Sequence, residues 1–350
     1  MAKKRLNVGI LGCGNISASH IPAVLANSDI VNLYALCDMD EEKLNATQIK
    51  YKVEKCYTDY LEMLKDPKVD IVNICTPSGT HGEQVEHCAK YAKHVLCEKP
   101  LEITREKLDR LIACYRDTDL KAGVVFQYRT YSGIRQAKQM VDRGELGRLL
   151  IGNACYKMYR SPEYYKSAGW RGTWEMDGGG STMNQGIHIL DILCYIGGRI
   201  KSVFATAPTL ARDIEVEDAL TATLTFENSA IGSYQSTTLA MPPIEIKSEL
   251  IFEKGVLTFA DPDVYLFTEE NPKGIVLGEQ TGEGPSGSLN PTGISIAGHS
   301  FLVRNLARTV NGEEEVFVPL EEGRHVVDVI LAMYQSHKTG RSVQVGGGIA

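Results

Sequence analysis

The chain has 350 residues, 43% of them apolar and 23% charged, with a formal net charge of −7. That length favours two domains with a sizeable core, and the composition excludes a disordered chain. The acidic balance argues against nucleic acid as the main partner, because phosphate binding draws on surplus Lys and Arg. The N-terminal half then alternates short β-branched runs with helical patterns. Strands are expected at 6–11, 31–37, 69–75, 94–97 and 122–126, with helices at 16–26, 41–50, 81–91 and 105–116 between them. This rhythm implies βαβ units and a parallel sheet. The strand runs are apolar on both faces, as helices covering both sides of a sheet require.

The first strand runs into Gly12-Cys13-Gly14-Asn15-Ile16-Ser17, a G-x-G-x-x-small turn that opens a helix. Gly12 suits a tight turn, Gly14 lets backbone approach a pyrophosphate, and the helix N-terminus offers N–H donors. The second strand ends at Asp38, placed to bind an adenosine ribose and to repel a 2′-phosphate, which favours NAD over NADP. Asp38 or Asp40 can also cap the helix that follows. Two later strand ends carry polar groups, Thr76-Pro77 through His81 and Glu98-Lys99-Pro100. In open α/β sheets ligands lie at such ends, so Lys99 is expected at a cleft.

After Gln127 the rhythm stops. A helix is expected at 134–143, then an irregular aromatic stretch at 156–174, then a helix opening at Gly180 and running through Ile196. Period-two runs at 201–206, 219–226, 230–238, 248–252 and 256–259 imply an antiparallel sheet. Residues 271–298 read as a long loop, and helices at 300–310 and 322–337 close the chain. On the helix after Gly180, Asn184 and His188 are i,i+4, and His188 and Asp191 are i,i+3, so all three share a face. His188 is a candidate general acid or base, though its apolar neighbours also suit a core histidine. Asp191 can orient an imidazole, or bond backbone or an Arg.

The nine cysteines are odd in number and none are spaced C-x-x-C, so neither a disulfide framework nor a metal site is expected. No apolar run approaches the ~20 residues of a membrane span, and no cleavage-type segment follows the basic N-terminus. A cytoplasmic protein with no membrane partner is the expectation.

These motifs resemble the glucose–fructose oxidoreductase, inositol dehydrogenase and MocA family. The resemblance rests on Gly12 through Ile16, Thr76-Pro77, Lys93 through Pro100, and Gly178-Gly179-Gly180 followed by Gly186-x-His188-x-x-Asp191. It implies an α/β Rossmann domain over 1–127. An α+β domain over 128–350 would follow, carrying a large, mostly antiparallel open-faced sheet for substrate binding and oligomer contacts. It also implies NAD-dependent oxidation or reduction of a sugar or polyol, with Lys99 and His188 catalytic. The string Trp170-Arg171 through His188 looks closest to the branch with UDP-N-acetylglucosaminuronate 3-dehydrogenases. Many members have Asp four residues before the His, where this chain has Asn184, so Asn184 is left to hold a hydroxyl.

The expected cofactor set is Gly12, Gly14, Asn15, Ile16, Asp38, Thr76, Pro77, His81, Glu98, Lys99, Gln127, Trp170 and Arg171. For a sugar or nucleotide-sugar substrate between the domains, Lys99, Arg160, Tyr165, Asn184, His188 and His299 are expected. Arg160 would suit a carboxylate or phosphate, or equally be a surface Arg stacked with tyrosines. The uncovered sheet implies a homodimer or homotetramer. A free-sugar or inositol dehydrogenase is the alternative, and a non-enzymatic dinucleotide or sugar sensor is the reading from another class.

Overall fold

The computed structural model describes residues 4–279 and 296–347. The chain divides into two compact units, one of Met1–Gln127 with Ile294–Arg324, the other of Tyr128–Gly293 with His325–Ala350. The first unit opens with β1 (Leu6–Leu11), α1 (Ser17–Ala26), β2 (Val31–Cys37), α2 (Glu41–Tyr51), β3 (Lys55–Tyr57) and α3 (Tyr60–Lys65). It continues with β4 (Ile71–Ile74), α4 (His81–Lys90), β5 (His94–Cys97), α5 (Arg105–Arg116) and β6 (Ala122–Val124). The six strands form one sheet in the order β3-β2-β1-β4-β5-β6, every neighbouring pair parallel. This is the Rossmann order, with its topological switch between β1 and β4. Val8 and Ile10 on β1, Val72 on β4 and Val95 on β5 have no exposed surface, which is why these runs are apolar without alternation.

The second unit holds α6 (Ser132–Asp142), β7 (Leu149–Lys157), α7 (Pro162–Lys166), α8 (Ile187–Gly197), β8 (Ile200–Thr206), β9 (Ala219–Phe226) and β10 (Ile231–Thr237). Then come β11 (Glu245–Phe252), β12 (Gly255–Ala260), β13 (Asp263–Phe267) and β14 (Ile275–Leu277). With β15 (Val343–Gln344) they make a nine-stranded sheet in the order β14-β13-β12-β11-β7-β10-β9-β8-β15. Only β7 with β10 is a parallel pair. Strand β7 lies where no strand was expected before the aromatic stretch. Its inward positions include Gly152 and Ala154, too small to advertise an apolar face. A Cβ on Gly152 would lie 2.9 Å from the Phe226 ring and 3.1 Å from Leu193, so the small residue is what lets β7 pass beneath them.

The chain then forms α9 (Ala297–Val310) and α10 (Leu320–Thr339). Helix α9 belongs to the first unit, which a division into consecutive blocks 1–127 and 128–350 does not capture. It buries Leu302, Val303 and Leu306, and Arg304 pairs with Asp29 at 2.7 Å. Helix α10 starts in the first unit's share of the chain and continues into the second's. In the expected loop at 271–298, β14 and the start of α9 are ordered elements, and residues 280–295 lie outside the described residues. Among the described residues no helix is long and apolar enough to cross a membrane.

Candidate active site

In the first unit the motif residues gather at the carboxyl ends of β1, β2, β4 and β5. Gly12 has φ +99°, and a Cβ there would come within 2.8 Å of the Cys75 carbonyl oxygen, so both conformation and space demand glycine. Gly14 is exposed, and a Cβ on it would meet nothing within 4 Å. That open space lies at the N-terminus of α1, where a helix offers N–H groups to an anion. Asn15 is exposed and Ile16 half-buried beside it. Ser17 is buried and its hydroxyl donates to the Gly14 carbonyl at 2.6 Å. Asp40 is the cap of α2, accepting the Lys43 amide at 3.2 Å. Asp38 instead accepts the Cys13 amide at 2.7 Å and the Asp40 amide at 2.9 Å, bracing the glycine turn from β2. Open space, a free-facing helix end and a half-buried acid together fit a dinucleotide.

At the end of β4, the Thr76 hydroxyl donates to Gln84 at 2.6 Å, and Pro77 precedes a short 3-10 turn. His81 is buried, with Nδ1 2.7 Å from the Pro100 carbonyl and Nε2 2.9 Å from the Thr76 carbonyl. It therefore ties the two strand-end loops together. Burial pushes its imidazole below the ordinary value, while both carbonyls favour added protons. Glu98 is buried and Lys99 half-buried. Although burial alone would raise it, hydrogen bonds from His20 and His299 hold the Glu98 carboxyl well below the usual carboxylate range. His299, expected at the substrate, thus lies inside the first unit at 1% exposure. Gln127, half-buried, opens a 3-10 turn beyond β6.

In the second unit the expected helix from Gly180 is two elements. Ser181–Gly186 is a π-helical turn, and α8 begins only at Ile187. Asn184 therefore lies on a wider turn than His188, and the i,i+4 face expected of a single α-helix does not apply. The turn is held by the buried Glu217 carboxylate, which accepts the Gly180 and Thr182 amides, each at 2.8 Å, and the Tyr334 hydroxyl at 3.0 Å. A Cβ on Gly180 would stand 2.0 Å from the Glu217 carbonyl oxygen.

The Asn184 amide donates to the Asp177 carboxylate, whose other oxygen accepts the Gly172 amide at 2.9 Å. Sequence reasoning missed Asp177; its place before the glycines was the available signal. Asp191 takes a fork of bonds from Arg129, at 2.9 Å and 3.1 Å from Nε and 2.6 Å from Nη2. Of the roles open to Asp191, this is the bonding to an Arg. Tyr128 was also missed; its ring packs on His188 with centroids 5.2 Å apart.

Arg160 donates to the Gln185 side-chain oxygen at 3.1 Å and 2.8 Å, and Gln185 donates to the Tyr164 hydroxyl at 2.7 Å. Arg171 lies over both Trp170 and Tyr164, at 4.6 Å and 4.3 Å from their centroids. Arg160, Arg171, Asn184 and Asp177 thus form one connected polar group. Tyr165 faces away into the core at 9% exposure, with its hydroxyl 2.9 Å from that of Thr238.

The sequence model of an oxidoreductase family with an NAD-binding Rossmann fold matches residues 6–126, and that of the GFO/IDH/MocA C-terminal domain matches 134–258. The chain belongs to the GFO/IDH/MocA family. It is an NAD-binding oxidoreductase of the sugar dehydrogenase kind. It is 30% identical over 264 residues to the myo-inositol 2-dehydrogenase of Thermotoga maritima, covering 73% of this chain and 75% of that one. It is 25% identical to the D-glucoside 3-dehydrogenase of Escherichia coli, with 99% of each chain covered. The WlbA dehydrogenase of Bordetella pertussis, solved with NADH and UDP-GlcNAcA, superposes with a TM-score of 0.85 at 28% identity, over 99% of this chain and 100% of that one.

Proposed function

We propose that this family member oxidises a secondary pyranose hydroxyl, at C3 of a nucleotide sugar or glycoside, with Lys99 and His188 as its catalytic residues. The Gly12–Gly14 turn and Asp38 would hold NAD, whose nicotinamide would supply the hydride acceptor. His188 removes the hydroxyl proton, and the Lys99 ammonium steadies the developing alkoxide. Asn184, held by Asp177, orients a neighbouring hydroxyl but does not exchange a proton. Arg160 supplies the charge for a carboxylate or phosphate of the substrate. What supports this reading is Lys99 at the end of β5 in the first unit and His188 and Asn184 in the second, in a chain that aligns end to end with a dehydrogenase solved with NADH and UDP-GlcNAcA.

The test is a panel of UDP-sugars, free sugars, glycosides and inositols, followed through the near-ultraviolet absorbance of reduced nicotinamide. A UDP-uronate should give the highest kcat/KM. Lys99→Met should abolish turnover with NAD binding largely retained, and full activity of that variant would remove Lys99 from the chemistry. The second reading, an inositol or free-sugar dehydrogenase, is favoured by the 30% identity to the Thermotoga enzyme, and the same panel decides it.

We also assign the outer face of the large sheet to a second copy of this chain. Ile251, Ile151 and Ile231 lie side by side there in register across β11, β7 and β10. Ile231 is 58% and Ile151 36% exposed.

A further inference from the structure

Lys99 stands between two residues that buried histidines hold. On its C-terminal side, the Pro100 carbonyl faces His81 Nδ1 at 2.7 Å. On its N-terminal side, Glu98 Oε1 lies 2.9 Å from His20 Nε2 and 3.3 Å from His299 Nε2. Glu98 Oε2 accepts the backbone N–H of Lys99 itself at 3.2 Å. His20 and His299 are at most 1% exposed, and their rings meet edge to face with centroids 5.0 Å apart. His299 comes from α9, 201 residues beyond Glu98.

We infer that His299 and His20 are positioning residues, which fix the backbone from which Lys99 projects by holding the Glu98 carboxylate. This rests on the catalytic reading of Lys99 above. The hydrogen-bond chemistry sets the proton positions. His20 Nδ1 lies 3.1 Å from the Asn73 amide nitrogen, a donor, so His20 carries its proton on Nε2, aimed at Glu98. Among the described residues, buried His299 Nδ1 has no hydrogen-bond partner. A proton there would lack an acceptor, whereas a proton on Nε2 meets the carboxylate. A buried carboxylate is tolerated only when such donors surround it. Here two of them arrive from α1 and α9, so the carboxylate cannot swing without leaving both rings unsatisfied.

The same three residues place ligand atoms within 4.8 Å of one another, close enough to hold a metal ion. A ligating imidazole donates its second N–H to an acceptor. Among the described residues His299 Nδ1 has none, and His20 Nδ1 faces a donor. The hydrogen-bonded arrangement is therefore the one these residues support.

The experiment uses the full chain with His299→Phe, which keeps a ring but loses the N–H, and His299→Gln, whose amide N–H can reach the same oxygen. The Phe variant should lose kcat by about tenfold or more, as small misplacements of a catalytic group do, with NAD affinity little changed. The Gln variant should recover most of it. Reactivity of the Lys99 amine, read by trace acetylation and mass spectrometry, should change several-fold in the Phe variant and return in the Gln variant.

Unchanged Lys99 labelling in the Phe variant, or equal loss of kcat in both variants, overturns the proposal. Altered labelling alongside a fully active Lys99→Met would uphold the clamp and remove only the catalytic reading of Lys99. If the Phe variant does not fold, nitrogen NMR of the imidazoles in the unmutated protein decides the matter. Nε2-protonated rings are expected for His20 and His299. A proton on His299 Nδ1, or one metal ion per chain by elemental analysis, overturns it.

Discussion

The Asp38 carboxylate accepts one backbone amide from the glycine turn and one from the cap of α2, and each oxygen keeps a lone pair for a ligand. A ribose hydroxyl can use that capacity, whereas a 2′-phosphate meets the same charge. At 4 Å and an effective dielectric of 20 the repulsion is about 4 kcal/mol per charge pair, and a third of that already gives about tenfold discrimination. NAD should therefore exceed NADP in kcat/KM by at least about tenfold. Asp38→Ala should narrow the ratio and also weaken both cofactors, because the Cys13 amide loses its acceptor. Equal use of the two cofactors by the unmutated enzyme would reduce Asp38 to a brace for the turn. Gly12, Asp38 and Lys99 were legible in the sequence because each sits at the end of an apolar strand. Asp177 and His20 were not, since their partners are brought to them only by the folded backbone.

The π-helical turn at Ser181–Gly186 is the element that sequence periodicity could least reveal, because its residues suit an α-helix equally well. What selects it is tertiary: Glu217 gathers the Gly180 and Thr182 amides, and the Glu217 backbone fills the space a Cβ at position 180 would need. Gly180→Ala must push that backbone aside, and overpacking of this kind costs roughly 1–3 kcal/mol. For a unit of this size the melting temperature should fall by roughly 2–4 °C per kcal/mol. Activity should fall further than the stability loss accounts for, because the turn leads directly into His188. Thermal melts and kcat measured together check this, and an unshifted melt would mean the Glu217 segment yields freely. The parallel strands were legible for the opposite reason: burial on both faces forces an apolar run whatever the neighbours are. Strand β7 was hidden because Gly152 and Ala154 stand where large apolar residues would have marked its inner face.

At the scale of the whole molecule, the return of α9 to the first unit was invisible, since a helix pattern carries no address. Five strands of the second sheet, β8 to β12, were legible from alternation, and the sheet's outer face carries the last prediction. One face of the sheet holds the core, with Tyr234, Leu224 and Leu250 almost wholly buried. The other presents Ile151 and Ile231 to the surroundings beside Thr and Ser positions, and Phe204 is 49% exposed on β8. A row of neighbouring isoleucines on an exposed sheet face is costly to leave in water, and a second copy can cover it by two-fold symmetry. A stable interface needs about 800 Å² from each partner, a demand a broad sheet face can meet. Light scattering after size exclusion should therefore give a dimer or tetramer at micromolar concentration. Ile231→Glu combined with Ile151→Glu places four like charges across a two-fold contact and should shift the population toward monomer. A monomer in the unmutated protein would end this proposal and leave the chemistry of Lys99 and His188 untouched.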